Sequence, residues 1–225
     1  FPEFNLLILL STCGMLTAVS SNSLMTLYLS LELQALPIYI LCTLRNKDIR
    51  SSESGLKYFL LGALSSGFLL FGISLIYGFS GSVSYAEIMH SDIKSNLGLN
   101  FGLIFLISGI AFKISAAPFH MWSPDVYQGS PSPITLFVAS APKITSVSIL
   151  IILTYKVFKN VNHHWNDLLF VLSLASIVVG SVGAIIQSSI KRLLAYSSIA
   201  HMGFILVGLV SFSNLGLEGV MFYLI

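Results

Sequence analysis

Charge is scarce in this 225-residue chain. Only 9% of its residues are charged, whereas 55% are hydrophobic, and the mean hydropathy is +0.88. A soluble globular domain carries about 25% charged residues, so a soluble fold of this composition would expose a large apolar surface. The net charge of +2 is too small to indicate a nucleic-acid partner or an anionic substrate. The composition therefore predicts an all-α polytopic membrane protein that binds no nucleic acid.

Cofactor and metal motifs are missing as well. The chain has two cysteines, Cys13 and Cys42, both inside apolar segments, and it has no CxxC or Cys/His ligand spacing. These features predict buried free thiols and no zinc, haem or iron–sulfur site. GxGxxG turns, P-loops and nucleophile elbows are absent too. We therefore expect neither a metal nor a cofactor on this chain.

Long apolar runs occupy most of the sequence. A helix that crosses the bilayer needs roughly 20 mostly apolar residues. We predict one transmembrane domain over 1–225, with eight such segments: 4–20, 23–44, 54–79, 97–122, 133–158, 167–187, 192–212 and 216 to the end. The chain opens without Met or a basic region and closes inside the last apolar run. Both ends favour a piece of a longer polytopic protein without a cleaved signal peptide.

The basic residues of the loops divide between two membrane faces. If the segments alternate in direction, one face carries Arg45, Lys47, Arg50, Lys191 and Arg192. The opposite face carries Lys94, Lys156 and Lys159. The positive-inside rule then assigns the first group, here called the basic face, to the cytoplasm or the mitochondrial matrix.

Three ionisable residues interrupt the apolar segments: Glu32, Lys113 and Lys143. Each has a proline close by in its own segment, namely Pro37, Pro118 and Pro142. Proline lacks an N–H and leaves a helix carbonyl without its partner; Pro118, for example, frees the carbonyl of Ile114. Charges are costly in lipid and are usually functional there, and loosened backbone is tolerated where it lines a protein-enclosed or wet cavity. The combination predicts proline-broken helices around a polar interior.

A carboxylate and two amines can form a proton relay. A buried lysine holds its proton while a carboxylate is near and releases it when that carboxylate is neutralised or moves away. We therefore predict that Glu32, Lys113 and Lys143 pass protons through ordered water. The alternative is a static buried ion pair that holds the helices together.

Two histidines are weaker candidates for the same path. His120 follows Pro118 and either passes protons to solvent or has a structural role. His201 lies in the middle of a segment, and imidazole chemistry suits proton transfer, although a single buried histidine is often only hydrogen-bonded.

Several runs of the sequence resemble one family. Residues 112–131, FKISAAPFHMWSPDVYQGSP, and residues 191–201, KRLLAYSSIAH, are similar to signatures of the antiporter-like subunits of respiratory complex I. Residues 53–63, ESGLKYFLLGA, and residues 31–34, LELQ, resemble the subunit 2 branch, called subunit N in bacteria. The opening residues look most like mitochondrial versions.

The resemblance implies an antiporter-like fold with inverted five-helix repeats. The first repeat would be complete over 4–158, and the second would be truncated over 167–225. The family's half-channel glutamate, its broken-helix lysine and its linking lysine map onto Glu32, Lys113 and Lys143. A further family lysine lies beyond the last residue, so a second polypeptide or a longer chain would have to supply the missing helices.

The resemblance also implies a function. The chain would be a proton-translocating membrane-arm subunit of NADH:ubiquinone oxidoreductase, with NADH, FMN, iron–sulfur clusters and ubiquinone bound on other subunits. Its partners would be other membrane-arm subunits and lipids, in the mitochondrial inner membrane or, alternatively, the bacterial plasma membrane. Two other readings stay open: a subunit of a related cation/proton antiporter or membrane-bound hydrogenase, and a structural membrane scaffold.

Overall fold

The computed structural model describes residues 2–45, 48–90, 97–159 and 162–224, and within them the regular secondary structure is helical. The helices are α1 (Pro2–Val19), α2 (Leu24–Cys42), α3 (Ile49–Ser80), α4 (Tyr85–His90), α5 (Leu97–Lys113), α6 (Trp122–Gly129), α7 (Ser132–Ile151), α8 (Asn162–Ile185), α9 (Ile190–Val210) and α10 (Asn214–Leu224). A π-helical stretch, Ile152–Val157, extends α7.

Five helical stretches of the described ranges are long and apolar enough to cross a membrane: Leu24–Cys42, Ile49–Ser80, Ser132–Val157, Trp165–Ile185 and Ile190–Val210. Two shorter apolar helices, Glu3–Val19 and Leu97–Lys113, accompany them. The predicted all-α membrane fold is therefore confirmed. The division into repeats over 4–158 and 167–225 stays a prediction.

The fourth predicted segment, 97–122, is broken in the structure. Helix α5 ends at Lys113, residues 114–121 are not helical, and α6 begins at Trp122. Ser115 has a left-handed backbone with φ 60°, which an α-helix of L-residues cannot continue. The stretch 125–129, predicted as a loop, is helical because Pro124 falls in the first turn of α6, where a missing N–H costs nothing.

The other two prolines do not break their helices. Pro37 lies inside α2 and Pro142 lies inside α7, and both helices run on through them. The prediction of a break at these two positions is wrong. A single proline removes one hydrogen bond, and a membrane helix packed against neighbours tolerates that loss.

Several predicted boundaries shift in the structure. Helix α3 begins at Ile49, before the predicted residue 54, because Asp48 caps it by accepting a 3.0 Å hydrogen bond from the Arg50 N–H. The predicted loop 80–96 contains the short helix α4. Helix α8 begins at Asn162 rather than at 167.

The two cysteines are free, as predicted, but only one is buried. Cys42 is buried, whereas Cys13 is exposed on α1. The prediction of two buried thiols is wrong for Cys13, because that residue lies on a side of α1 that no other described residue covers. Apolar surroundings in sequence do not distinguish a covered side of a helix from an uncovered one.

Small residues bring the helices into close contact. A Cβ atom added at Gly72 of α3 would lie 2.7 Å from the Leu106 nitrogen of α5. The Ser65 hydroxyl of α3 donates a 3.0 Å hydrogen bond to the carbonyl of Gly109 on α5. Close approach at glycine and serine is a common way for membrane helices to associate.

We expect Gly72→Ala to destabilise the packing of α3 on α5 by about 1–3 kcal/mol, because the added methyl group collides with backbone that cannot yield. Gly67→Ala on the same helix is the matched control, since an added Cβ there meets nothing within 4 Å. The measurement is the thermal denaturation midpoint of the detergent-solubilised protein. Equal midpoints for the two variants would contradict this account of the interface.

Candidate functional site

Glu32 lies within α2 and is half-buried against α3. Its carboxylate accepts a short hydrogen bond from the Ser66 hydroxyl, and Ser66 is 7% exposed. The serine gives the carboxylate a polar partner inside the bundle. It also fixes the carboxylate on the side of α2 that faces the protein.

Lys113 is the last residue of α5 and is only 6% exposed. Its ammonium group has no hydrogen-bond partner within the described residues. Glu32 is the carboxylate that acts on it electrostatically, yet no ion pair within the described ranges joins the two. The break therefore leaves a buried amine within the field of a carboxylate but not bonded to it.

Lys143, on α7, is 1% exposed and is surrounded by hydroxyl groups. Its ammonium donates a 2.7 Å hydrogen bond to the Ser115 Oγ and a short one to the Ser198 hydroxyl of α9. The ring of Tyr127 lies 5.6 Å from the ammonium nitrogen, within range of a cation–π interaction. Within the described ranges no carboxylate pairs with this lysine.

Ser115 connects the two lysines through the break. It stands two residues after Lys113, and its hydroxyl accepts from Lys143 while donating to the carbonyl of Ile114. That carbonyl is the one predicted to lose its helical partner to Pro118. The left-handed backbone at Ser115 thus turns a freed backbone group and a side chain toward the second lysine.

Neither histidine is hydrogen-bonded to the two lysines within the described residues. His120 is half-buried, and its ring centroid lies 6.4 Å from that of Tyr196. His201 is exposed on α9, and its Nδ1 is 2.6 Å from the Tyr223 hydroxyl. A cavity of about 370 Å³ is lined by both His201 and Lys143, so His201 adjoins the same space as the relay. Among the described residues, no hydrogen bond or ion pair joins His120 to Lys113 or Lys143.

Charged residues of the basic face meet around Asp125 of α6. Its carboxylate accepts from Lys57 of α3 and from Arg192 of α9, each at 3.0 Å. Lys191 donates a 2.7 Å hydrogen bond to the Ser130 carbonyl, and Gly129 packs against the Arg50 carbonyl. Arg50, Lys191 and Arg192 thus gather at one end, as predicted.

Lys47 and Lys94, also assigned to membrane faces, lie outside the described residues. Sequence reasoning missed the hydroxyl partners of the relay and the role of Asp125. Asp125 lies in the run 112–131 and Arg192 lies in the run 191–201. Their membership in the two family signatures is the sequence signal that points to this contact.

The comparisons with known proteins agree with this architecture. Residues 21–225 match the model of the family described as NADH:quinone oxidoreductase/Mrp antiporter, transmembrane. The chain belongs to this family. It is 50% identical over 225 residues to NADH-quinone oxidoreductase subunit N 1 of Rhizobium meliloti (strain 1021), covering 99% of this chain and 47% of that protein. The chain thus spans about half the length of the curated relatives it matches.

Two solved structures share the fold. Respiratory complex I from Thermus thermophilus with bound aureothin contains a chain 37% identical to this one, with a TM-score of 0.83, over 99% of this chain and 48% of that chain. The Mrp complex from Dietzia sp. DQ12-45-1b matches at 23% identity with a TM-score of 0.89, over 97% of this chain and 41% of that chain. The antiporter-like, multi-pass membrane fold is thereby confirmed.

We expect a measurable coupling between Lys143 and Ser198. In a double-mutant cycle of Lys143→Met and Ser198→Ala, the interaction free energy should be about 1.5–3 kcal/mol, as for hydrogen bonds to charged groups. The measurement is the free energy of unfolding of the purified protein in denaturant. Ser173→Ala is the control, because that buried hydroxyl donates to the Phe170 carbonyl of its own helix. Additive effects for Ser198 would refute the contact.

Proposed function

We propose that this chain is part of a proton-translocating membrane-arm subunit of NADH:quinone oxidoreductase, in the subunit N branch. Glu32, Lys113 and Lys143 form its proton relay. The observation that carries the proposal is the pair of buried lysines, both within an apolar bundle and neither in an ion pair among the described residues. Such groups are expensive in a membrane and are retained where they act.

The relay passes one proton at a time. While Glu32 is ionised, its field favours the charged form of Lys113. When Glu32 is neutralised, Lys113 releases a proton to water held at the break. Lys143, whose amine is already bonded to Ser115, accepts that proton in turn. Two ammonium groups in a low-dielectric interior repel strongly, so charging one lysine promotes discharge of the other.

A static scaffold is less well supported. Charges that hold helices together gain their stability from direct, well-bonded pairs, and an unpaired buried charge is strongly destabilising. The Lys113 ammonium has no bonded partner in the described part of the chain, which is poor geometry for an interhelical tie. It is suitable geometry for a group whose proton must leave.

Ion exchange is the second candidate, since the matching family includes Mrp antiporters. The same core could then move protons against Na⁺ without a redox partner. Exchange of Na⁺ for H⁺ in vesicles lacking any electron donor would favour this function. Pumping that requires NADH oxidation favours the first.

The surroundings of the chain follow from the same proposal. Other membrane-arm subunits and lipids flank it, and NADH, FMN, iron–sulfur clusters and the quinone bind elsewhere in the complex. The helices beyond this chain come from a longer polypeptide or from a second one. The compared relatives come from bacteria, which favours the bacterial plasma membrane; the mitochondrial location expected from the opening residues finds no support among them.

We expect Lys113→Ala and Glu32→Ala to slow proton transfer through this subunit by about 10²-fold, because each removes a proton-transfer group. The measurement is protons pumped per NADH oxidised by the assembled complex in proteoliposomes, together with the rate of quinone reduction. Lys156→Ala, at an exposed lysine of the π-helical stretch, is the control and should pump normally. Normal pumping by a fully assembled Lys113→Ala complex would contradict the proposed relay.

A further inference from the structure

Tyr39 carries a buried phenol that takes no part in the proposed relay. The residue lies on α2, two turns beyond Glu32, and is 6% exposed. A separation of seven residues puts both side chains on the same side of the helix. The phenol oxygen has no hydrogen-bond partner within the described residues. A buried polar atom in this position requires an explanation, because leaving it unsatisfied is costly.

Helix α3 fixes the position of this phenol. The Tyr39 ring meets Tyr58 and Phe59 edge to face, with centroid separations of 4.7 and 5.9 Å. Its hydroxyl lies over Gly62, where an added Cβ would collide with the phenol oxygen. The aromatic contacts and the glycine together hold the phenol oxygen against one turn of α3.

The next turn of α3 carries the hydrogen-bond partner of Glu32. Ser66 follows Gly62 by four residues, so the two positions are about 5–6 Å apart on one side of α3. Ser66 donates to the Oε1 atom of Glu32, which leaves Oε2 as a further acceptor. The Glu32 carboxylate also acts electrostatically on Tyr39. The phenol oxygen thus lies about one helical turn from the carboxylate and its serine, without bonding either directly.

A single water molecule fits this gap. One water spans about 5.6 Å with two hydrogen bonds of ~2.8 Å, and internal water usually satisfies buried polar groups of this kind. Three polar groups border the gap: the phenol oxygen of Tyr39, the Ser66 hydroxyl and the Glu32 carboxylate. An internal water needs roughly two to four such partners, so the site meets the requirement.

We propose that Tyr39 is a positioning residue for Glu32: its phenol donates to one internal water, and that water donates to the carboxylate. This inference rests on the proposed relay and adds a residue that stabilises the ionised form of its carboxylate. A phenol suits the place because a water that accepts from it keeps both of its own protons for Glu32 and Ser66. Tyr39 retains its proton throughout.

Carbodiimide labelling of Glu32 tests this role. Dicyclohexylcarbodiimide reacts with a protonated carboxyl group in apolar surroundings, and mass spectrometry of the digested chain measures the product. In the assembled complex at neutral pH, we expect Tyr39→Phe to speed the labelling of Glu32 by about tenfold, because the ionised carboxylate loses a hydrogen-bond donor. Among the described residues, Tyr28 and Lys113 also interact electrostatically with Glu32, and the variant leaves both in place.

Three further variants complete the experiment. Tyr85→Phe is the matched control, because it removes a phenol that is similarly buried, at 7% exposure, but lies beside the Ser21 hydroxyl. Gly62→Ala keeps the phenol and displaces it, so it should speed the labelling of Glu32 as Tyr39→Phe does. Gly67→Ala, where an added Cβ meets nothing within 4 Å, should label at the wild-type rate.

A merely structural role for Tyr39 predicts a different result. Phenylalanine keeps the ring and its aromatic contacts, so packing alone would leave the labelling rate unchanged. Equal labelling of Glu32 in the wild type and in Tyr39→Phe, including no labelling in either, would overturn this inference. Normal pumping by Glu32→Ala would instead overturn the proposed relay. Faster labelling in both Tyr39→Phe and Gly62→Ala, with wild-type rates in the two controls, supports the role of Tyr39.

Discussion

The constraint that governs this bundle is the presence of two buried amines that have no carboxylate at bonding distance among the described residues. Lys113 and Lys143 are both nearly inaccessible to solvent. An apolar interior does not tolerate free charge, so polar groups must come from the helices that surround each amine. The chain meets this need for Lys143 with hydroxyls rather than with counter-charges. A hydroxyl accepts a hydrogen bond from an ammonium and can equally donate one to the lone pair of a neutral amine, so neither protonation state is locked in.

The interruption between α5 and α6 is the second half of the arrangement. It ends one helix at Lys113 and begins the next at Trp122, so that a single membrane crossing contributes an amine, a freed carbonyl and the Ser115 hydroxyl at nearly one level. The Trp122 indole donates a 2.9 Å bond to the carbonyl of Phe112, and Ser176 of α8 accepts a 2.9 Å bond from the Ala117 N–H. Groups released by the loss of helix are thus bonded again by side chains, which is what allows irregular backbone to exist inside a membrane.

Sequence reasoning found the residues of this site that are unusual for a membrane segment. Glu32, Lys113 and Lys143 are conspicuous because charge is excluded from apolar segments, and Pro118 is conspicuous beside Lys113. The sequence does not show which proline breaks its helix. Pro37 and Pro142 lie beside a charged residue just as Pro118 does, but both are inside continuous helices. What distinguishes Pro118 is the left-handed Ser115 before it, whose hydroxyl accepts a hydrogen bond from Lys143 on another helix.

The hydroxyl partners illustrate the same limit. Serine is frequent in membrane helices and usually bonds its own backbone, as Ser140 and Ser146 do here. Ser66 and Ser198 differ only because another helix brings Glu32 or Lys143 against them. The fold class depended on composition and segment length and was accessible from the sequence. The exposure of Cys13 depended on which side of α1 meets α2, which is a property of packing.

Asp125 ties α6 to two other helices at once. Its carboxylate accepts from Lys57 of α3 and from Arg192 of α9. The first residue of α6 is held as well, because the Trp122 indole bonds the Phe112 carbonyl and its ring stacks on Tyr58. The helix therefore moves only together with α3 and α9, and any displacement of that unit carries the Tyr127 ring relative to the Lys143 ammonium.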